Sequence, residues 1–132
     1  MSLDWCQDVL EFHKKVGSRI GEKPSVPSEA EKGLRKTLVL EEMGEFLEAL
    51  DGNNLVDLAD AVGDCIYVLI GTAISYGIDL RSVWEAIHRA NMEKPIGKLR
   101  GDGKIIKPEN WPHPNIKSVL FGQKEEIEGK GE

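Results

Sequence analysis

The chain has 132 residues, 40% of them hydrophobic, and a formal net charge of -6 at pH 7. That length supports a single domain with one sizeable core. The acidic balance argues against a general nucleic-acid or membrane-surface binder, so neither a stable nucleic-acid partner nor a membrane is expected. The charge is unevenly spread. Residues 41–64 hold eight acids (Glu41, Glu42, Glu45, Glu48, Asp51, Asp57, Asp60, Asp64) and no Lys or Arg, whereas residues 81–117 hold eight basic residues against four acids. An ordinary charged surface accounts for composition alone; an acidic patch for a metal and a basic segment for an anion would also produce it. Cys6 and Cys65 fall in no metal-ligand spacing, which points to a reducing, cytoplasmic compartment. The first ten residues carry Asp4 and Asp8 and no long apolar run, so no signal peptide is expected.

Ser2 is the expected cap of a first helix reaching about Val16. Leu3, Val9, Leu10, Phe12 and Val16 fit its apolar face, and Gly17 and Gly21 end it. His13 has no partner histidine at i+4 and reads as a satisfied surface or groove residue. Lys23–Ser28 is a loop, because Pro24 and Pro27 both break helix. Ser28 and Glu31 form an S-x-x-E capping box that opens a second helix running to about Leu50. Its apolar face is Val39, Leu40, Met43, Phe46, Leu47 and Leu50. Glu41, Glu42, Glu45 and Glu48 share the opposite arc, which a solvated amphipathic helix would also show. Leu34, Leu38 and Ala49 lie on that arc too, however, and a purely solvated face has no need of them.

Asn54 caps the third helix, with Asp57 at N3, and Gly77 supplies the left-handed residue after Ser75 or Tyr76. Leu58–Ile74 is apolar on nearly every side, with Asp60 and Asp64 as its only charges, and such a helix belongs in the middle of a bundle. The run, about 17 residues with two acids, is short for a membrane span. Asp79 caps a fourth helix, about Leu80–Asn91, with Val83, Trp84 and Ile87 inward. Connections this short favour antiparallel neighbours. The expected fold is all-α, an antiparallel four-helix bundle core over about residues 2–92, within one domain spanning 1–132. Residues 96–113 are rich in Gly, Pro and Lys and read as an extended C-terminal arm. It turns at Gly101–Gly103, is anchored by Ile105, Ile106 and Trp111, and leads into a charged tail from Gln123 that frays.

An antiparallel pairing of the second and third helices brings the Glu41–Glu48 face near Asp60 and Asp64. Neighbouring carboxylates on a buried helix repel one another and lose hydration, so they must protonate or find a cation. Oxygen ligands alone, with no His or Cys at ligand spacing and no Glu-x-x-His pair, favour Mg²⁺ or Mn²⁺ over Zn²⁺ or a di-iron centre. A metal held this way typically carries a phosphate substrate, and a spare carboxylate can take the proton of an activated water.

Glu41-Glu42-Met43-Gly44-Glu45 resembles the EExxE motif of the MazG-like, all-α nucleoside triphosphate pyrophosphohydrolases. Asp60-Ala61-Val62-Gly63-Asp64-Cys65-Ile66-Tyr67 resembles their second, ExxD-type motif. Gly77-Ile78-Asp79, His88–Lys94 and Asp102-Gly103-Lys104…Lys107-Pro108 are similar to segments of the bacterial and phage house-cleaning branch. The resemblance implies hydrolysis of a nucleoside triphosphate, in that branch a deoxynucleotide, to the monophosphate and pyrophosphate. It implies Glu42, Glu45 and Asp64 as metal ligands and Glu41 as general base or ligand of a further ion. Asn91 and Lys94 would contact the substrate's phosphates or sugar, followed by Lys98, Lys104 and Lys107, with Tyr67 packing beside the site. Ala61 stands where the motif has a Glu, so the fourth ligand falls to Asp60, four residues before Asp64, or to Asp57. The resemblance further implies a homodimer or homotetramer. Two other readings are a phosphoribosyl-ATP pyrophosphohydrolase and a non-enzymatic helical metal-binding or dimerisation module. His88, Trp84 and Trp111 read as structural residues.

Overall fold

A computed structural model describes residues 4–95, 100–104 and 111–122. The described residues contain helices, turns and loops and no strand, as the all-α expectation requires. The chain divides into two compact units, residues 1–80 and 81–132.

The first unit is built on three helices, α1 (Trp5–Val16), α2 (Glu29–Asp51) and α3 (Leu55–Ser75). Asp4, not Ser2, caps α1: its carboxylate accepts from the Gln7 N–H at 3.0 Å, satisfying one of the free donors of the first turn. Ser2 itself lies outside the described residues. Gly17 closes α1 in the left-handed region, φ 76°. Ser28 caps α2 by accepting from the Glu31 N–H at 3.2 Å. The Glu31 carboxylate has another use than the return half of a capping box: it accepts from the Ser75 hydroxyl on α3 at 2.6 Å.

Gly52, Asn53 and Asn54 make the tight connection, and Asn54 caps α3 by accepting from the Asp57 N–H at 3.1 Å. With so short a link α2 and α3 run antiparallel, and α3 packs on both α1 and α2. At its far end the Ile78 N–H reaches back to the Ala73 carbonyl and the Gly77 N–H to that of Ile74, with Gly77 at φ 69°. This pair of bonds closes the helix as a left-handed C-terminal cap does. The segment after α1 is sewn onto the same end. Gly21 N–H donates to the Ile74 carbonyl, Ser25 N–H to that of Tyr76, and Arg19 Nε to that of Ser75. Gly21 is required there, since a Cβ would stand 2.5 Å from the Gly77 nitrogen.

The face that α2 turns to α3 is the glutamate-bearing arc expected to lie near the acids of the third helix. Arg35, Leu38, Glu42, Glu45 and Ala49 are spaced three and four apart, on one stripe of the helix. Arg35 is buried and donates to the Val68 carbonyl at 2.9 Å and the Thr72 hydroxyl at 3.1 Å. The Cys65 thiol donates to the Glu42 carbonyl. Leu40, Met43, Leu47 and Leu50, expected to face the core, are exposed instead. Hydrophobicity on the wheel pointed one way, and the polar stripe made the interhelical bonds.

α3 is 21 residues, from the expected Asn54 cap to Ser75, and is long and apolar enough by length and composition to cross a membrane. Here it packs between α1 and α2 with Ala61, Cys65, Ile70 and Ala73 buried. His13 is buried rather than at the surface, and its Nδ1 pairs with the Arg19 carbonyl at 3.0 Å. Gly71 makes room for it: a Cβ there would lie 2.9 Å from His13 Nε2 and 2.7 Å from the Arg35 guanidinium.

The second unit contains α4 (Leu80–Glu93), a turn at residues 100–104 and a short helix α5 at 116–122. α4 buries Ala90, whereas Trp84 is 69% exposed and Ile87 is exposed, against the expectation that both face inward. Periodicity marks an apolar stripe but not what covers it. The turn forms where Gly101–Gly103 predicted it, with Gly103 at φ 89° and the Gly103 N–H donating to the Arg100 carbonyl. α5 interrupts the expected irregular tail. Asn115 caps it by accepting from the Ser118 N–H at 3.0 Å, a signal present in the sequence. Trp111 is buried as an anchor should be, while Ile105, Ile106 and the tail from Gln123 lie outside the described residues.

Candidate metal centre

The stripe of α2 and the facing stripe of α3 meet in acids. One carboxylate oxygen each from Glu42, Glu45 and Asp64 lies within 4.8 Å of the others. Glu42 and Glu45 are one turn apart on α2, and Asp64 comes from α3, so the antiparallel hairpin alone brings the three together. The arrangement is electrostatically costly without a cation. Burial raises the Glu42 pKa above the ordinary carboxylate value, and the negative charges of Glu45, Asp64 and Glu41 push it further the same way. One Glu42 oxygen, Oε2, is buried with no hydrogen-bond partner among the described residues. An orphaned buried carboxylate oxygen beside two further carboxylates is what a hard divalent cation would satisfy, and an all-oxygen donor set suits Mg²⁺ or Mn²⁺. The residues present therefore fit a divalent ion.

Cys65 lies directly behind this cluster and adds no ligand to it. Burial, followed by the charges of Glu42, Asp64 and Glu45, pushes its thiol up, so it stays a neutral donor to the Glu42 carbonyl. That bond ties α3 to the α2 backbone at the residue with the orphaned oxygen.

Asp60 is not part of the three-carboxylate set. With Asp57, Glu45, Glu48 and Ala61 it lines a cleft of about 290 Å³ toward the connection between α2 and α3. Ala61 is buried in that wall, where the resembled motif would place a Glu. Glu41 is exposed beside Glu42. The Tyr67 ring turns toward α1 and meets Phe12 edge-on, with centroids 5.7 Å apart. It lines an apolar groove with Trp5, Val9, Ile66 and Ile70.

Apart from Tyr67, the expected substrate-binding residues belong to the second unit. Asn91 is on α4 and Lys94 just follows it, and the Lys94 ammonium donates to Asn91 Oδ1. Lys104 follows the turn, where its N–H donates to Asp102 Oδ1 at 3.1 Å. Lys98 and Lys107 lie outside the described residues. Arg35, Glu31 and Ser75, which brace α2 against α3, were not anticipated. The signal for them was the three-and-four spacing from Arg35 through Glu42 to Ala49.

Residues 9–91 match a family model described as phosphoribosyl-ATP pyrophosphohydrolase, a span that holds all three clustered carboxylates and Asn91. A stretch of 47 residues is 45% identical to an uncharacterized protein of Acanthamoeba polyphaga mimivirus, covering 36% of this chain and 19% of that protein. The chain thus spans about a fifth of the length of the curated relative it matches.

Proposed function

The chain belongs to the phosphoribosyl-ATP pyrophosphohydrolase family, within the MazG-like all-α pyrophosphohydrolase superfamily, and on that premise we propose that it hydrolyses a nucleoside triphosphate to the monophosphate and pyrophosphate. The substrate class is a deoxynucleoside triphosphate and the role is nucleotide-pool house-cleaning. The observation that carries the reading is the close approach of Glu42, Glu45 and Asp64 around a buried, unpartnered Glu42 oxygen.

In this mechanism Glu42, Glu45 and Asp64 would hold a divalent ion, Mg²⁺ or Mn²⁺, with Asp60 on the adjoining cleft wall as a candidate further ligand. Bound there, the ion supplies neutralisation of phosphate oxygens and a more acidic water. Glu41, exposed next to Glu42, takes the proton as water attacks the α-phosphorus, and the α–β phosphoanhydride bond breaks. Asn91 and Lys94 donate to the phosphates or sugar, with Lys98, Lys104 and Lys107 as further cationic contacts. The family description itself favours a second substrate, phosphoribosyl-ATP, whose cleavage uses the same bond change.

The chain acts as a homodimer or homotetramer in the cytoplasm. Support for association comes from the apolar side chains that α2 and α3 leave uncovered, Leu40, Leu47, Leu50, Leu55 and Val56.

The test is product analysis with metal-stripped protein, a panel of NTPs, dNTPs and phosphoribosyl-ATP, and added Mg²⁺ or Mn²⁺. The expected result is metal-dependent release of pyrophosphate with monophosphate. Glu42→Gln and Asp64→Asn should each lower turnover at least about 100-fold, the scale of losing one electrostatic stabiliser of the transition state. Release of single phosphates would move the chemistry to the γ-position and overturn the mechanism. Turnover of phosphoribosyl-ATP alone would establish the second substrate, and an inert chain would leave a helical metal-binding module.

A further inference from the structure

The end of α4 and the segment before α5 bring together three groups that the acidic cluster does not explain. Trp111 is only 7% exposed, and its buried indole Nε1–H has no acceptor among the described residues. A buried donor with no partner is a net cost, which a leucine or phenylalanine at the same place would not incur. Packing alone therefore does not account for the indole. What the ring does meet is charge: the Lys94 ammonium stands over its face, 4.8 Å from the centroid. The same ammonium donates to Asn91 Oδ1. Among the described residues Lys94 has no carboxylate partner.

The donor pattern of this trio is one-sided. An ammonium has only donors. With one lone pair of its oxygen engaged by Lys94, the Asn91 carboxamide presents its NH₂ as a further donor. A set made mostly of N–H donors complements an anion. A lysine side chain is otherwise a flexible stem whose ordering must be met at the moment of binding. An aromatic face on one side and an amide oxygen on another order it beforehand, and indole is the best such face.

We propose that Trp111 is a positioning residue, whose indole face, with the Asn91 amide oxygen, holds the Lys94 ammonium in place for an anionic phosphate group of the nucleotide. This rests on the pyrophosphohydrolase reading, in which Asn91 and Lys94 meet the substrate. Trp111 lies outside the stretch that matches the family model.

The experiment combines steady-state kinetics of Trp111→Leu, Trp111→Phe, Lys94→Ala and the Lys94→Ala/Trp111→Leu pair with NMR of the lysine ε-CH₂ groups, the Lys94 signal being assigned by its loss in Lys94→Ala. Trp111→Leu should raise KM about tenfold with kcat little changed, and Trp111→Phe, which keeps an aromatic face, should raise it less. In the Lys94→Ala background Trp111→Leu should add nothing, because the indole acts through the ammonium. Additive losses, or equal losses for Phe and Leu, would overturn the proposal. Should Trp111→Leu fail to fold, Trp111→Phe carries the same test, its KM effect present with Lys94 and absent without it. The Lys94 ε-CH₂ protons should be shifted upfield by the ring in the wild type, and an unshifted signal sinks the proposal even in an active enzyme. If no nucleotide is hydrolysed, the pyrophosphohydrolase reading fails by itself. Titration of inorganic pyrophosphate against the Lys94 signal then decides: a response weakened in Trp111→Leu supports the positioning role, and no response overturns it.

Discussion

Glu42 is where the electrostatics of this chain concentrate. Its pKa is raised by burial and by Glu45, Asp64 and Glu41, so the folded, metal-free chain binds a proton there more readily than the unfolded chain does. The sign follows from linkage. Stability from this group is fully present below the ordinary value of 4.5 and is lost as pH rises through the raised value in the folded state. The thermal midpoint of metal-stripped protein should therefore fall, as pH rises above 4.5, more steeply than that of Glu42→Gln, which has no proton to lose. Saturating Mg²⁺ should stabilise the wild type and reverse this trend near neutral pH, since the ion binds the ionised carboxylate. Differential scanning fluorimetry across pH, with and without metal, checks both statements. EExxE and the Asp64 register were plain in the sequence as candidate ligands. The orphaned Glu42 oxygen was not, because burial of one atom depends on where α3 passes.

At the scale of elements, two glycines in helices separate packing from propensity. Gly71 on α3 faces His13 and Arg35, and an added Cβ would stand 2.7 Å from the guanidinium. Gly71→Ala should destabilise by about 1–3 kcal/mol, the cost of overfilling a packed site. Gly33 on α2 has nothing within 4 Å of where a Cβ would be. Gly33→Ala should stabilise by about 0.5–1 kcal/mol through helix propensity and reduced freedom of the unfolded chain. Urea denaturation of the two variants measures both, and equal shifts of one sign would contradict the packing described for α3. The helix ends themselves were legible, since Ser28, Asn54 and Gly77 carry local signals that act within a few residues. The exposure of the apolar stripe of α2 was not, although its glutamate arc was expected near the third helix. An apolar stripe and a mixed polar stripe compete, and Arg35 bonding to Val68 and Thr72 decides which one meets α3.

For the whole molecule, the apolar side chains left uncovered bear on association. Leu47 and Leu50 on α2 and Leu55 and Val56 on α3 flank the connection between the two helices, with Leu55 78% exposed. If a second copy covers them, sedimentation should give a dimer or tetramer at micromolar concentration. Leu47→Glu and Val56→Glu should each then weaken association by about tenfold or more, as loss of one buried apolar anchor does. A monomer that is unaffected by either substitution would contradict the homo-oligomer.

By itself the sequence determined that the chain is helical, where at least one end of each of its four long helices falls, and which acids share an arc. Those properties follow from turn chemistry and from the 3.6-residue period, both local. Only the tertiary structure decided that Glu42, Glu45 and Asp64 converge while Asp60 lies on the neighbouring cleft wall. Likewise it decided that Lys94 rests on the ring of Trp111, which no helical period connects to it. Convergence of side chains from different segments depends on the rotation of each helix about its own axis, and that rotation is set by buried contacts made across long stretches of chain.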